Sequence, residues 1–169
     1  MRKRYLVENI IEDTSEKMVF IAGPRQVGKT TLALSAAQQL SGRYQYLSWD
    51  NRDDRNDLMA LRFHSDAALL IFDEIHKYRG WKNFVKGVYD SYRERFRVIV
   101  TGSAMLDLYR RGGDSLMGRY HLYRLHPFSY SELLEKKPAV TPGKTLDFNG
   151  EEPDSLKTLE NIKRFGGFP

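Results

Sequence analysis

Cysteine is absent from the sequence, which excludes disulfides and thiolate metal sites and suits a reducing compartment. Long hydrophobic runs are absent too. The longest, Ala67 to Phe72, falls far short of the ~20 apolar residues that a membrane-spanning helix needs. Nor is a secretory leader indicated: Met1-Arg2-Lys3-Arg4 is basic, but mixed and charged residues follow where a leader has an apolar core. No segment repeats, and none is of low complexity. Neither sign of charge dominates, since 27 Lys+Arg against 22 Asp+Glu leave +5 and a pI near 9.4. That mild basic excess suits an anionic partner such as nucleic acid, and solvated surface charge explains it about as well. The expectation is a cytoplasmic chain with no membrane contact, and 169 residues suffice for one domain with a real core.

What the sequence does hold centres on Gly23-Pro24-Arg25-Gln26-Val27-Gly28-Lys29-Thr30, which satisfies the phosphate-loop pattern G-x-x-x-x-G-K-[ST]. The flanks agree with it. Met18-Val19-Phe20-Ile21-Ala22 reads as a buried strand, and Thr31 to Leu40, rich in Ala and Leu, reads as a helix that stops at Ser41-Gly42. A triphosphate has to be wrapped closely by backbone N–H groups, and Gly23 and Gly28 supply the backbone freedom and the missing side chains for that approach. The helix that begins near Lys29 turns its positive end toward the anion. Lys29 would reach the β- and γ-phosphates as a point charge, and the Thr30 hydroxyl would ligate Mg2+.

The second informative site is Asp73-Glu74, at the end of the Ala67–Phe72 run. A continuous apolar run predicts a strand buried on both faces, and acids at its end stand where open α/β sheets bind ligands. Asp73 would hold Mg2+, directly or through water, and Glu74 would be the base that polarises an attacking water. An acidic pair before a helix is also a common N-cap, so the assignment draws its weight from the loop upstream. Asp50, at the end of the preceding strand, is the rival base, with a structural role as the better reading. His76 has no further ligand at metal-binding spacing and reads as a residue of the surface or just behind the site.

The remaining chain alternates helices and strands. Tyr5 to Ile11 predicts a short amphipathic helix beside the first strand, and Tyr44 to Trp49 a second strand. Asn51 to Arg55 reads as a loop and Asn56 to Phe63 as a short helix. Trp81, Phe84, Val85, Val88 and Tyr92 recur at helical spacing and predict a core-facing stripe. Arg97 to Thr101 is a buried strand closed by Gly102-Ser103-Ala104, where Ser103 would meet the γ-phosphate or the water if this strand lies between the other two. Leu106 to Gly113 predicts a short helix, Tyr120 to Leu125 an alternating strand and Tyr130 to Lys137 a helix. Domain limits of 1–137, a loop or mobile segment over 138–153 and a helix within 154–169 leading toward a further domain complete the expected organisation.

Together, Gly23 to Thr31, Asp73-Glu74-Ile75-His76-Lys77, Thr101-Gly102-Ser103, Leu116-Met117-Gly118-Arg119 and Leu125-His126-Pro127-Phe128-Ser129-Tyr130 resemble one family. It is that of the bacterial and archaeal AAA+-type ATPases whose N-terminal ATPase domain precedes a C-terminal domain of unknown function. The resemblance implies an α/β fold, a three-layer P-loop NTPase with a central five-stranded parallel sheet. It places the Ser103 strand between the loop-bearing and Asp73 strands, making Ser103 the polar sensor. It draws attention to Arg119, which follows Leu-x-Gly and would either contact a γ-phosphate, in the same or a neighbouring subunit, or form a salt bridge.

The functional expectation is Mg2+-dependent binding and hydrolysis of ATP, with Gly23 to Thr31 as the binding loop and Lys29, Glu74, Ser103 and Arg119 as the catalytic set. A homo-oligomer and nucleic acid are the candidate partners. The alternative is a nucleotide-gated switch with little turnover, and a small-molecule kinase ranks last, hinted at only by Arg110-Arg111 before Gly112-Gly113.

Overall fold

Five strands laid side by side in parallel, the three central ones apolar and buried, organise the molecule. The structure, a computed structural model, describes residues 4–40, 42–103, 116–134 and 155–168. Helix α1 (Leu6–Asp13) leads into β1 (Met18–Ala22), and the phosphate loop joins β1 to α2 (Lys29–Gln39). Then follow β2 (Arg43–Ser48), α3 (Arg52–Met59), β3 (Ala67–Asp73), a 3-10 turn at Ile75–Lys77, α4 (Trp81–Tyr92) and β4 (Arg97–Gly102). Among the described residues the chain closes with β5 (Tyr120–Arg124), α5 (Tyr130–Leu133) and α6 (Ser155–Phe165). The expected helix at 106–113, its arginine pair and the 138–153 segment lie outside the described residues.

All strand pairs are parallel and the order is β2-β3-β4-β1-β5. The five-stranded parallel sheet is therefore as expected, with β4 between β3 and β1. Alternation along each strand divides the core between two faces. Met18, Phe20, Leu70, Phe72, Val98 and Val100 pack against Trp81, Val85 and Val88 of α4 on one side. Val19, Ile21, Leu69, Ile71 and Ile99 pack against Val7 and Ile10 of α1 and Leu32, Ala33 and Ala36 of α2 on the other. The result is the expected three layers.

One local reading is corrected. Asn51 to Arg55 is not a loop: Asn51 caps α3, accepting hydrogen bonds from the N–H groups of Asp53 and Asp54. Asp53 and Asp54 then stand in the first turn, where carboxylates complement the helix dipole. The helix is polar and buries only Leu58, so no apolar stripe marked it.

Because the strands are parallel, every residue that follows a strand stands at one edge of the sheet and every residue that precedes one stands at the other. Ala22 pairs with Gly102, and Asp73 with Thr101, so the phosphate loop, the acidic pair and Ser103 share an edge. Gly23 is needed there for a packing reason. The chain leaving β5 donates Leu125 N–H to the Ala22 carbonyl at 2.7 Å, and a Cβ at Gly23 would stand 2.3 Å from the Leu125 oxygen. Closeness at Gly23 therefore serves β5. Gly23→Ala should cost about 2 kcal/mol or more in urea unfolding, because backbone has to shift to make room; an unchanged midpoint would refute the contact.

Candidate functional site

The loop has two residues in the left-handed region, Gln26 at φ 61° and Gly28 at φ 92°. Gly28 therefore has the conformational role expected of it, whereas Gly23 has none. Gly28 is also the N-cap of α2, where no side chain caps the helix and no acid occupies the first turn. The first N–H groups of an eleven-residue helix are thus left for an anion. Lys29 is buried and folds back on the loop, donating to the carbonyls of Gly23 at 3.1 Å and Pro24 at 2.7 Å. Burial pulls its ammonium below the ordinary lysine range, with Glu74 and Asp73 acting in the opposite direction.

Asp73 is buried and held from three elements. Its Oδ2 accepts from the Thr30 hydroxyl at 3.1 Å and the Tyr46 hydroxyl at 2.6 Å, and its Oδ1 accepts from the Thr101 hydroxyl. Burial and the carboxylate beside it push the Tyr46 phenol well above its usual range, so Tyr46 stays a donor. A carboxylate with three hydroxyl donors has a fixed orientation, and Thr30 brings the start of α2 directly against it.

Glu74 lies in the left-handed region at φ 56°, a conformation that costs a non-glycine residue about 1 kcal/mol. That sharp turn ends β3, and Glu74 contributes to the wall of the cleft. His76 is not a surface residue. Its side chain is 13 % exposed, and Nε2 lies 3.0 Å from the Ser103 hydroxyl and 3.8 Å from Glu74 Oε2. It therefore stands between Ser103 and Glu74. Its Nδ1 is buried with no hydrogen-bond partner. Lys77 completes the rim, with Nζ 2.6 Å from Asp50 Oδ2 and 3.4 Å from Glu74 Oε2. Asp50 is thus engaged by Lys77, in keeping with a structural role.

Desolvation lowers the His76 pKa below the ordinary 6.5, opposed by Glu74 and Asp50 and assisted by Lys77 and Lys29. Between 6.5 and its lowered native value, the unfolded chain binds the proton that the native fold refuses. Stability contributed here is thus fully present above about pH 6.5 and is lost as the pH falls through that window. Thermal midpoints followed from pH 8 to pH 5 should decline below about 6.5 in the native protein, and less in His76→Gln. Parallel declines would refute the assignment.

Arg25, Gln26, Gly28, Lys29, Thr30, Thr31, Asp50, Glu74 and Lys77 line an open cleft of about 700 Å³, a size suited to a small-molecule ligand. Pro24 and Val27 do not line it; Pro24 contributes its carbonyl to Lys29, and Val27 is fully buried. Arg119 is not brought to this cleft. Its carbonyl pairs with Met18 N–H at the start of β1, whereas the loop leaves the far end of that strand, about 15 Å away at ~3.3 Å per residue. Its guanidinium grips Asp90 of α4 at 2.7 and 3.3 Å. That placement sets Arg119 apart from the cleft of its own chain, and the ion pair with Asp90 is the salt bridge that was one of its expected roles.

The residues that sequence reasoning did not find are Tyr46, Thr101 and Lys77, with Arg4 and Glu132 behind the loop. Tyr46 and Thr101 reach Asp73 only because β2 and β4 flank β3. Arg4 and Glu132 are a buried ion pair 128 residues apart, with no local signal to mark it.

This geometry can be set beside known proteins. A family model described as "AAA domain" matches residues 15–134. No curated protein matches. Among solved structures, a variant of RuvB from Thermotoga maritima is 20 % identical with a TM-score of 0.52, over 76 % of this chain and 46 % of that one. The ORC1 protein of Aeropyrum pernix, solved in complex with DNA, is 10 % identical with a TM-score of 0.58, over 96 % of this chain and 56 % of that one. These likenesses are of fold, and the chain spans about half the length of the structures it matches. With the family model covering most of the chain and the sheet order as found, the chain belongs to the AAA-domain family, the AAA+ type of P-loop ATPase.

Proposed function

We propose that this chain binds ATP with Mg2+ in the cleft above the phosphate loop and hydrolyses it by in-line attack of water on the γ-phosphate. The observation that carries the proposal is the Thr30 hydroxyl on Asp73 at 3.1 Å, with Glu74 next in sequence and the uncapped start of α2 beside it. Thr30, Asp73 and Glu74 offer only oxygen donors, which fits a hard divalent cation. Among the described residues no group of three or more His, Cys, Asp or Glu could hold a metal, so Mg2+ would share its shell with phosphate and water oxygens. When bound, the ion would neutralise charge on the phosphates.

The residues themselves divide the rest of the work. The loop N–H groups and Lys29 bind and orient the phosphates, with Lys29 exchanging its two carbonyl partners for phosphate oxygens. Glu74 accepts the proton of the water, and Ser103, oriented by His76, hydrogen-bonds the water or the γ-phosphate. Arg119 is read as a clasp between β5 and α4, so an arginine for the transition state would have to come from elsewhere, and turnover by this chain alone should be slow.

Phosphate release from ATP, followed with and without Mg2+ alongside a binding titration, tests this reading. Mg2+-dependent release is the expected result, and failure to bind ATP would overturn it. A second reading is favoured by Lys77, which engages the Glu74 carboxylate at 3.4 Å in place of water. A nucleotide-gated switch would bind ATP tightly and release no phosphate. Contact with nucleic acid, supported by the net charge of +5 and by the DNA in the matched ORC1 structure, should show as duplex affinity that falls with added salt. A salt-independent affinity would refute phosphate contacts.

A further inference from the structure

The phosphate loop is held at two places: Lys29 ties the carbonyls of Gly23 and Pro24 from within it, and the Val27 carbonyl is held from outside it. Gly28 sits at φ 92°, and glycine accepts either sign of φ at little cost. A half-turn of the peptide plane between Val27 and Gly28 would change only the ψ of Val27 and the φ of Gly28, and at Gly28 the inverted φ carries little steric cost. In a trans peptide the carbonyl and the following N–H point in opposite directions. Whatever holds the Val27 oxygen therefore decides where the Gly28 N–H is aimed.

Arg4 holds it. Its Nη2 donates to the Val27 oxygen at 2.9 Å from the buried side, Arg4 being 7 % exposed and Val27 fully buried. With the carbonyl fixed toward the interior, the Gly28 N–H faces away from Arg4, and Gly28 lines the cleft. Arg4 is itself held on two further sides. Nη1 donates to Glu132 Oε2 at 2.9 Å, and the guanidinium lies 3.6 Å from the centre of the Phe128 ring. Glu132 has no freedom to follow a moving arginine, because it also closes the capping box with Ser129 at the start of α5. The Phe128 N–H is tied in turn to the Gly167 carbonyl.

We propose that Arg4 is a positioning residue for the phosphate loop, locking the Val27–Gly28 peptide so that the Gly28 N–H is presented to the triphosphate. This rests on the cleft being a nucleotide site. A guanidinium suits the task because its planar fork serves a carbonyl and a carboxylate at once, which a lysine ammonium cannot do in the same geometry. Without the lock both peptide orientations are populated, and the apparent dissociation constant rises in inverse proportion to the competent fraction.

The test is a titration of ATP·Mg2+, by calorimetry or fluorescence, on the full chain and its Arg4→Ala, Arg4→Lys and Lys29→Ala variants, with phosphate-release kinetics on the same samples. Arg4→Ala should raise the dissociation constant about tenfold, as for a competent fraction of about one tenth, and Arg4→Lys by less. The loss should fall on KM more than on kcat. A role confined to stability would lower only the fraction of molecules that bind, leaving the affinity of the folded remainder unchanged. Arg4→Lys keeps a buried cation opposite Glu132, so it serves if Arg4→Ala does not fold. Wild-type affinity in the folded fraction of the Arg4 variants, with binding lost in Lys29→Ala, would overturn the proposal and leave the site assignment standing. Unaltered affinity in Lys29→Ala would instead overturn the nucleotide site itself.

Discussion

Lys29→Ala should weaken ATP·Mg2+ binding by about 100-fold or more while the protein stays folded. Each charge-assisted hydrogen bond to a phosphate contributes roughly 1.5–3 kcal/mol, and two such bonds set the lower bound of the loss. In the ligand-free protein the same ammonium is buried, and burial outweighs what Glu74 and Asp73 return to its charged form. Its two acceptors there are carbonyls of its own loop. Removing it therefore relieves a desolvation cost as well as breaking two hydrogen bonds, and ligand-free stability should change by less than about 1 kcal/mol. Thermal unfolding with and without ATP separates the two effects: the ligand-induced rise in Tm disappears and the ligand-free Tm stays. Equal binding by wild type and variant would remove the basis for the whole site assignment.

Glu74→Gln should leave ATP bound and lower phosphate release by about 10²- to 10⁴-fold, the range for loss of a general base. The substitution keeps volume and shape, so the left-handed turn that ends β3 has the same side chain to hold. What it removes is the acceptor for the proton of water. Near-normal release in Glu74→Gln would exclude Glu74 as the base and return attention to Asp50, whose carboxylate also lines the cleft. Bound ATP with no release from either protein would favour the switch. Comparison of His76→Gln at saturating ATP shows whether the histidine between Ser103 and Glu74 contributes to turnover beyond its effect on stability.

The core of the site was legible because its geometry is local. A strand, a glycine loop and a helix are consecutive in the chain, so spacing alone brings Gly28, Lys29 and Thr30 to one cleft. Asp73 and Glu74 were legible because a fully apolar run has to end where the sheet ends. The position of Arg119 also had a signal in the sequence: it precedes a strand, whereas the loop, the acidic pair and Ser103 end or follow one. In a parallel sheet that difference alone assigns it to the opposite edge. The capping asparagine of α3 was also visible, and polarity was mistaken for absence of structure.

Local spacing and the alternation of apolar residues thus determined the class of fold, the phosphate loop, the acidic pair and the division of the core between two faces. They act over a few residues, and the chain carries them wherever it is placed. Tertiary structure decided which hydroxyls orient Asp73, which residue lies between Ser103 and Glu74, and what holds the back of the loop. Strand order brought Tyr46 and Thr101 to one carboxylate, and burial made Arg4 and a distant Glu132 into a pair. Those contacts depend on which segments become neighbours, and that is set by the closing of the whole core rather than by any pattern along the chain.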